Sequence, residues 1–413
     1  MTAREDDWVG PPRYHTATAT PPAPQAPARA PAPARPAPHP QPTVWARATA
    51  PGITMAEATA PTPAETTATN ATAAGNGRDR WFDLLRAAAI VRVVLYHMFP
   101  VAWLGLGFPA MGVMFALGGS LMARSVDRSA TRAVRGRLRR LLPALWLLAA
   151  VLVPAMLVLG WDDRPGWPAL LLWLLPIAEP QAAAWAEPVS GVLWYLVTYL
   201  WLVLLSPLLL ALYRRARLLT VLAPLALLPL FDFVPWPFGD RSASVIEDVL
   251  TFAACWVLGF AHRDGDLRRL RFPVVLAISV VATSGAVGWV VTHHGADGID
   301  LADSPLAYAV YSIGFVLVLL RLAPRMDWLT KRRRADAAVT LLNSRAVTIY
   351  LWHNAAITAA FPIGDLLHVW VFGDTVAEVG YTAIALWLLA MAVIHFGWVE
   401  DVSARRRPRL LPT

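Results

Sequence analysis

The sequence predicts an all-α protein: a polytopic membrane helical bundle of about ten transmembrane helices behind a disordered N-terminal tail. Three observations carry this. Hydrophobic residues make up 57% of the 413 residues and charged residues only 15%, whereas a soluble domain runs near 45–50% and 25%. Apolar runs of roughly 17–22 residues recur from Arg80 onward, each long enough to cross a hydrocarbon core of about 30 Å. The arginines sit in short connections between those runs, as membrane topology requires.

Residues 1–77 are rich in Pro, Ala and Thr, as in PPAPQAPARAPAPARPAPHPQP. No window there has helical or strand periodicity. Such a segment buries too little apolar surface to offset the entropy of ordering, so it reads as a disordered cytoplasmic tail. The expected transmembrane domain covers 78–407, and 408–413 form a C-terminal tail.

The ten expected spans are 81–101, 106–123, 141–160, 192–213, 218–235, 245–262, 272–292, 305–323, 345–362 and 377–398. The run 168–178 is too short to cross and is flanked by prolines, so it lies in the interface or re-enters. With the N-terminus inside, the inner connections collect Arg124–Arg140, Arg214–Arg217, Arg263–Arg271, Arg321–Arg334 and the tail Arg405–Arg409. The outer ones hold only Arg164 and Arg241, with Asp162, Asp163, Glu179, Asp240 and Asp300 among their acids. An even number of spans puts every arginine cluster on one side. Both termini are therefore expected in the cytoplasm, with the protein in the plasma membrane. The formal charge of +8 is explained by these clusters, so no nucleic-acid partner is expected. The single Cys255 lies in an apolar run and reads as packing.

The first span, WFDLLRAAAIVRVVLYHMFPV, breaks the apolar rule with Asp83, Arg86, Arg92 and His97. A central Arg costs about 2.5–3.5 kcal/mol to insert, roughly what the apolar residues of this helix return together. Ionisable groups held inside a membrane at such cost are functional candidates. Arg86 and His97 are eleven residues apart, which is three turns plus about 20°, so they share a face some 16 Å apart along the axis. Ile90 and Val93 lie on the stripe between them. The structural alternative is an Arg86 that snorkels to the headgroups and a His97 satisfied by a backbone carbonyl. Arg92 is about 140° away from His97 and is expected in a structural ion pair.

The stretch DLLRAAAIVRVVLYH resembles the opening helix of the acyltransferase-3 family of integral membrane acyltransferases, with Arg, ten residues, then His. GVMFALGGSLMARS resembles that family's second helix, with Gly118-Gly119-Ser120. RLRRLLPALW resembles its basic loop entering the third helix, with Arg137 and Arg140 before Pro143. SRAVTIYLWH resembles a late helix ending at His353, and WVEDVSARRRP resembles the closing edge. These segments span about residues 80–407. One subgroup carries a Trp-Ser-Leu-x-x-Glu segment in a middle helix; this chain reads LWYLVTYLWLVLLSPLL and has no such Glu, so that carboxylate partner for His97 is missing.

The resemblance implies transfer of an acyl group, by default acetyl, from acyl-CoA (acetyl-CoA) to a hydroxyl of a carbohydrate or a related acceptor. His97 would be the catalytic base, since imidazole can take an alcohol's proton near neutral pH. Arg86, Arg137 and Arg140 would bind the anionic donor, because guanidinium stays charged and forks onto phosphate. Arg124, Arg128 and Arg132 read as topology signals only. Trp194, Tyr195 and His353 are candidates for the acceptor side, with aromatic-belt and interface-anchor roles as the alternatives. No metal is expected: His293 and His294 form a pair in a polar loop with no third ligand. The rival reading is a multi-pass transporter of a glycan or lipid intermediate.

Overall fold

The computed structural model describes residues 79–99, 102–233, 236–293, 300–301, 304–322, 324 and 326–410, and among these there is no strand. The tail 1–77 and His294 lie outside the described residues. Helices of ten residues or more are α1 (Arg80–Met98), α2 (Ala110–Val126), α3 (Ala130–Leu159), α4 (Leu193–Arg215), α5 (Arg217–Leu227) and α6 (Asp240–Arg263). They continue as α7 (Phe272–Thr292), α8 (Pro305–Arg321), α9 (Arg333–Ser344), α10 (Ala346–Leu366) and α11 (Asp374–Phe396).

Six stretches are long and apolar enough to cross a membrane: Leu104–Val126, Ala130–Leu159, Ala184–Arg215, Asp240–Arg263, Phe272–Thr292 and Asp374–Ser403. The chain is a multi-pass membrane protein. α1 and α10 fall short of that standard because of what they carry: Asp83, Arg86, Arg92 and His97 on one, His353 and Asn354 on the other. The expected span 218–235 is not one continuous helix. α5 ends at Leu227 and a short turn, Leu230–Phe233, follows. Pro229, just past the helix end, accounts for the break, since it removes a backbone donor and crowds the preceding turn, while Pro224 removes another donor within α5.

The basic stretch before residue 141 is a second departure. It is the start of α3 rather than a loop. Ser129 sits in extended backbone and its Oγ accepts from the Arg132 amide at 3.5 Å, an N-cap. Ala, Arg and Leu then propagate the helix well. At 30 residues, α3 is about 45 Å long, so its arginine-bearing turns extend past a 30 Å hydrocarbon layer.

The bundle centres on α6, whose residues Thr251 to Ala261 are all buried. A helix apolar on every side must be enclosed by others. α2 crosses it backbone to backbone. A Cβ on Gly119 would strike the Trp256 carbonyl, and one on Gly259 would strike the Ala116 carbonyl and the Ser120 amide. Small residues at such crossings let membrane helices approach closely. The outer helices instead show bare apolar side chains, among them Val281 and Trp289 on α7 and Trp387 on α11, which only lipid could cover at low cost. The run 168–178 does not span. It is a helical turn and a 3-10 turn, pinned where the Trp146 and Trp201 indoles donate to the Leu174 and Ile177 carbonyls at 2.8 and 2.9 Å.

Candidate active site

α1 starts at Asp79, whose carboxylate accepts from the amides of Trp81 and Phe82, and ends at Phe99, extended because Pro100 follows. Between these stops lies the stripe read from the sequence. Ile90 and Val93 are buried, Arg86 is half-buried and His97 exposed. Asn343 at the end of α9 orients Arg86. Its amide nitrogen donates to the Asp83 and Val339 carbonyls, leaving its oxygen to accept from Arg86 at 3.2 Å.

Arg86 opens into a cavity of about 430 Å3, and Arg124, Arg128, Arg137, Arg140 and Arg406 line it too. Two carboxylates also reach it, but both are engaged elsewhere. Glu400 caps α10, accepting from the Val347 and Thr348 amides and from the Thr348 hydroxyl at 2.6 Å. Asp401 pairs at 2.8 Å with the fully buried Arg345. Among the described residues, none of Arg128, Arg137 and Arg140 makes an ion pair with a carboxylate. So much unneutralised charge in one concavity is costly unless an anion completes it.

Elsewhere on the same surface the chain pairs its arginines. Arg214 bonds to Asp127 at 2.8 Å and to Asp264 at 2.9 Å, and that hydrogen bond holds the Asp264 carboxyl below its usual range. In the connection between α3 and α4, burial pushes the Glu179 carboxyl up to about 7 against the pull of the Arg241 guanidinium.

Tyr195, Tyr199 and Tyr350 also line the cavity. From Tyr350 a file of rings leads away. Tyr195 and Tyr350 are 5.0 Å apart between centroids, Tyr350 and His353 5.8 Å, and His353 and His97 4.8 Å, edge to face at 77°. The Tyr350 hydroxyl donates to the Val192 carbonyl and the Asn354 amide to the Pro188 carbonyl. These bonds dock the helical turn Glu187–Gly191 deep in the bundle, just before α4.

The two imidazoles are set alike. Each has Nδ1 against a carbonyl of its own helix, Val93 at 3.0 Å for His97 and Tyr350 at 2.6 Å for His353. A carbonyl only accepts, so Nδ1 carries the proton and Nε2 keeps its lone pair. His353 is 0% exposed, and its Nε2 has no partner among the described residues. A buried acceptor without a donor is rare unless a ligand or water supplies one.

Of the sequence candidates, the fold brings Arg86, Arg137, Arg140 and Tyr195 to one cavity and joins His97 to His353 beyond it. Trp194 is not part of this group; it stacks on Phe252 at 5.4 Å and meets Tyr195 edge-on. His353 is interior, which removes the interface-anchor alternative. Arg92 corrects the expected ion pair: among the described residues it donates to the Leu104 carbonyl and lies 4.6 Å over the Tyr96 ring. Tyr96 in turn reaches Asp300 at 3.2 Å. The sequence reading missed Asn343, Arg406 and the placement of Arg124 and Arg128. None of these four lies on α3, so the Ser129 cap signals only that the run from Ala130 is helical and sets Arg137 and Arg140 on a defined face. Among the described residues no group of His, Cys, Asp or Glu could hold a metal ion.

Residues 79–398 match the profile of the acyltransferase-3 family, an acyltransferase domain. The chain belongs to this family, and is an enzyme that transfers acyl groups; the transporter reading gives way to it. It is also similar to Nodulation protein 10 of Rhizobium leguminosarum bv. viciae, 27% identical over 380 residues that cover 81% of this chain and 96% of that one. No solved structure matches.

Proposed function

We propose that the protein is an O-acyltransferase that takes an acyl group, acetyl by default, from acyl-CoA on the cytoplasmic side. The acceptor is a hydroxyl of a carbohydrate or related envelope or secondary-metabolite molecule. The observation that carries this reading is the cavity lined by Arg86, Arg137 and Arg140, whose wall residue Tyr350 is in ring contact with His353, which in turn meets His97. The arginines bind the donor's phosphates, and the pantetheine arm runs past Tyr195 and Tyr350 toward the imidazoles. His97 Nε2 takes the acceptor's proton as its oxygen attacks the thioester carbonyl. The carbon–sulfur bond then breaks, and the imidazolium returns the proton to the departing CoA thiolate. His353, whose Nε2 is free to accept, orients the acceptor by taking a hydrogen bond from a second, neighbouring hydroxyl of it. The stacked face of Trp194 leaves it no part in this scheme.

The same reading sets the chain in the plasma membrane as ten crossings, counting α1, α8, α10 and the broken α5 with the six longer stretches. Both termini are then cytoplasmic, with a tail at 1–77 and the transferase domain at 78–407. Loss of Arg86 should weaken the donor rather than the chemistry. Membranes holding the wild-type chain, given labelled acetyl-CoA, should yield a labelled ester product that membranes without the chain do not. Arg86→Gln should raise the KM for acetyl-CoA about tenfold or more, the scale of a lost charge-assisted phosphate contact. Unlabelled membranes under acetyl-CoA that turn over another activated acyl donor would refute the donor assignment.

A further inference from the structure

A second concavity, of about 240 Å3, adjoins the first. The two share Ser125, Arg128, Arg137 and Arg140, and the second adds Ser129, Arg132, Gly136 and Arg139. The helical start of α3 makes it. Arg132 and Arg139 are seven residues apart and so share a face about 10 Å apart along the axis. Ala133 and Gly136 between them are small, and nothing lies within 4 Å of where a Gly136 Cβ would stand. Arginines thus border a floor of one methyl group and one bare glycine. Among the described residues Arg132 makes no ion pair, and Arg139 donates only to the Ser403 carbonyl at 3.3 Å. The sequence alone reads Arg128 and Arg132 as topology signals, yet topology needs neither a concavity nor a shared wall with the site.

Two adjoining basic hollows fit one ligand with two separated anionic groups better than two ligands. We infer, resting on the donor assignment above, that this pocket holds a second anion of the same donor: the phosphate on the ribose of CoA, with Arg132 its principal ligand and Arg128 shared with the first cavity. The chain therefore distinguishes CoA thioesters from thioester donors that lack the ribose phosphate, such as an acyl-dephospho-CoA or an acylated phosphopantetheine carrier. A lipid phosphate has the same chemistry, but its tails confine it to the bilayer edge, while the shared wall places this pocket on the path of the donor.

The test uses the full chain in nanodiscs, made once with zwitterionic and once with anionic lipid. The measurement is kcat/KM for acetyl-CoA and for acetyl-dephospho-CoA, which lacks the ribose phosphate. Wild type should favour acetyl-CoA by about tenfold or more, as for loss of a charge-assisted contact. Arg132→Gln should bring that ratio to near one. Gly136→Leu fills the hollow, has open space at its Cβ and improves helix propensity, so it should do the same without unfolding the chain. A wild type that uses both donors equally, or variants that keep the full preference, would overturn the inference while leaving the proposed function standing. An equal loss with both donors in Arg132→Gln, together with loss of a dependence on anionic lipid, would assign the pocket to a headgroup instead. No turnover with either thioester would reject the donor assignment and this inference with it.

Discussion

His97→Ala should lower kcat by about 10^2–10^4-fold, the contribution of a positioned general base, while the KM for acetyl-CoA barely moves. The split follows from the geometry. Of the arginines that would grip the donor's phosphates, Arg86 lies about 16 Å from His97 along α1, eleven residues at 1.5 Å each, and the cavity it shares with Arg137 and Arg140 is not lined by His97. Removing the ring deletes no contact to those phosphates. It does delete the lone pair that the Val93 carbonyl leaves free at Nε2. The check is initial rates on membranes matched for amount of chain. An unchanged kcat would exclude His97 as the base, and a rise in KM alone would make it a binding residue.

Gly259→Leu should remove the folded protein from the membrane. The α2–α6 crossing has no room: the new side chain would meet the Ala116 carbonyl and the Ser120 amide, both on a buried helix backbone that cannot rotate away. Overpacking a well-packed core costs about 1–3 kcal/mol where side chains can shift; here the obstacle is main chain, so the helices must separate. Gly285→Leu on α7 is the control, with nothing within 4 Å of its Cβ position. The first variant should be lost from the monodisperse peak of a detergent extract, and the second should elute with wild type. Equal peaks for both would show that the crossing tolerates separation.

Much of the architecture follows from length and hydropathy because a bilayer imposes both: α6 and α7 match their expected runs closely. The mismatches come from local chemistry that a hydropathy run hides. Prolines split 218–235, and the Ser129 cap turns an expected loop into three turns of helix. The shared helix of Arg86 and His97 was legible because their angle follows from one continuous α1. The partners they meet were not. His353 reaches His97, and Asn343 reaches Arg86, from elements far along the chain; periodicity within one helix carries no information about which neighbour faces it. Trp194 and Tyr195, adjacent in sequence, point to different surroundings for the same reason in reverse: a step of 100° separates consecutive residues. That step puts one against Phe252 and the other into the cavity.

The proposed transfer requires a single route from the arginine-lined cavity to the imidazole pair. Sealed inside-out vesicles test it when labelled acetyl-CoA is supplied only to the exposed cytoplasmic face and acceptor is present only within. Labelled ester should accumulate inside the vesicles, and none should form when the label is supplied only to sealed right-side-out vesicles. Ester formed only when donor and acceptor share a face would contradict the route.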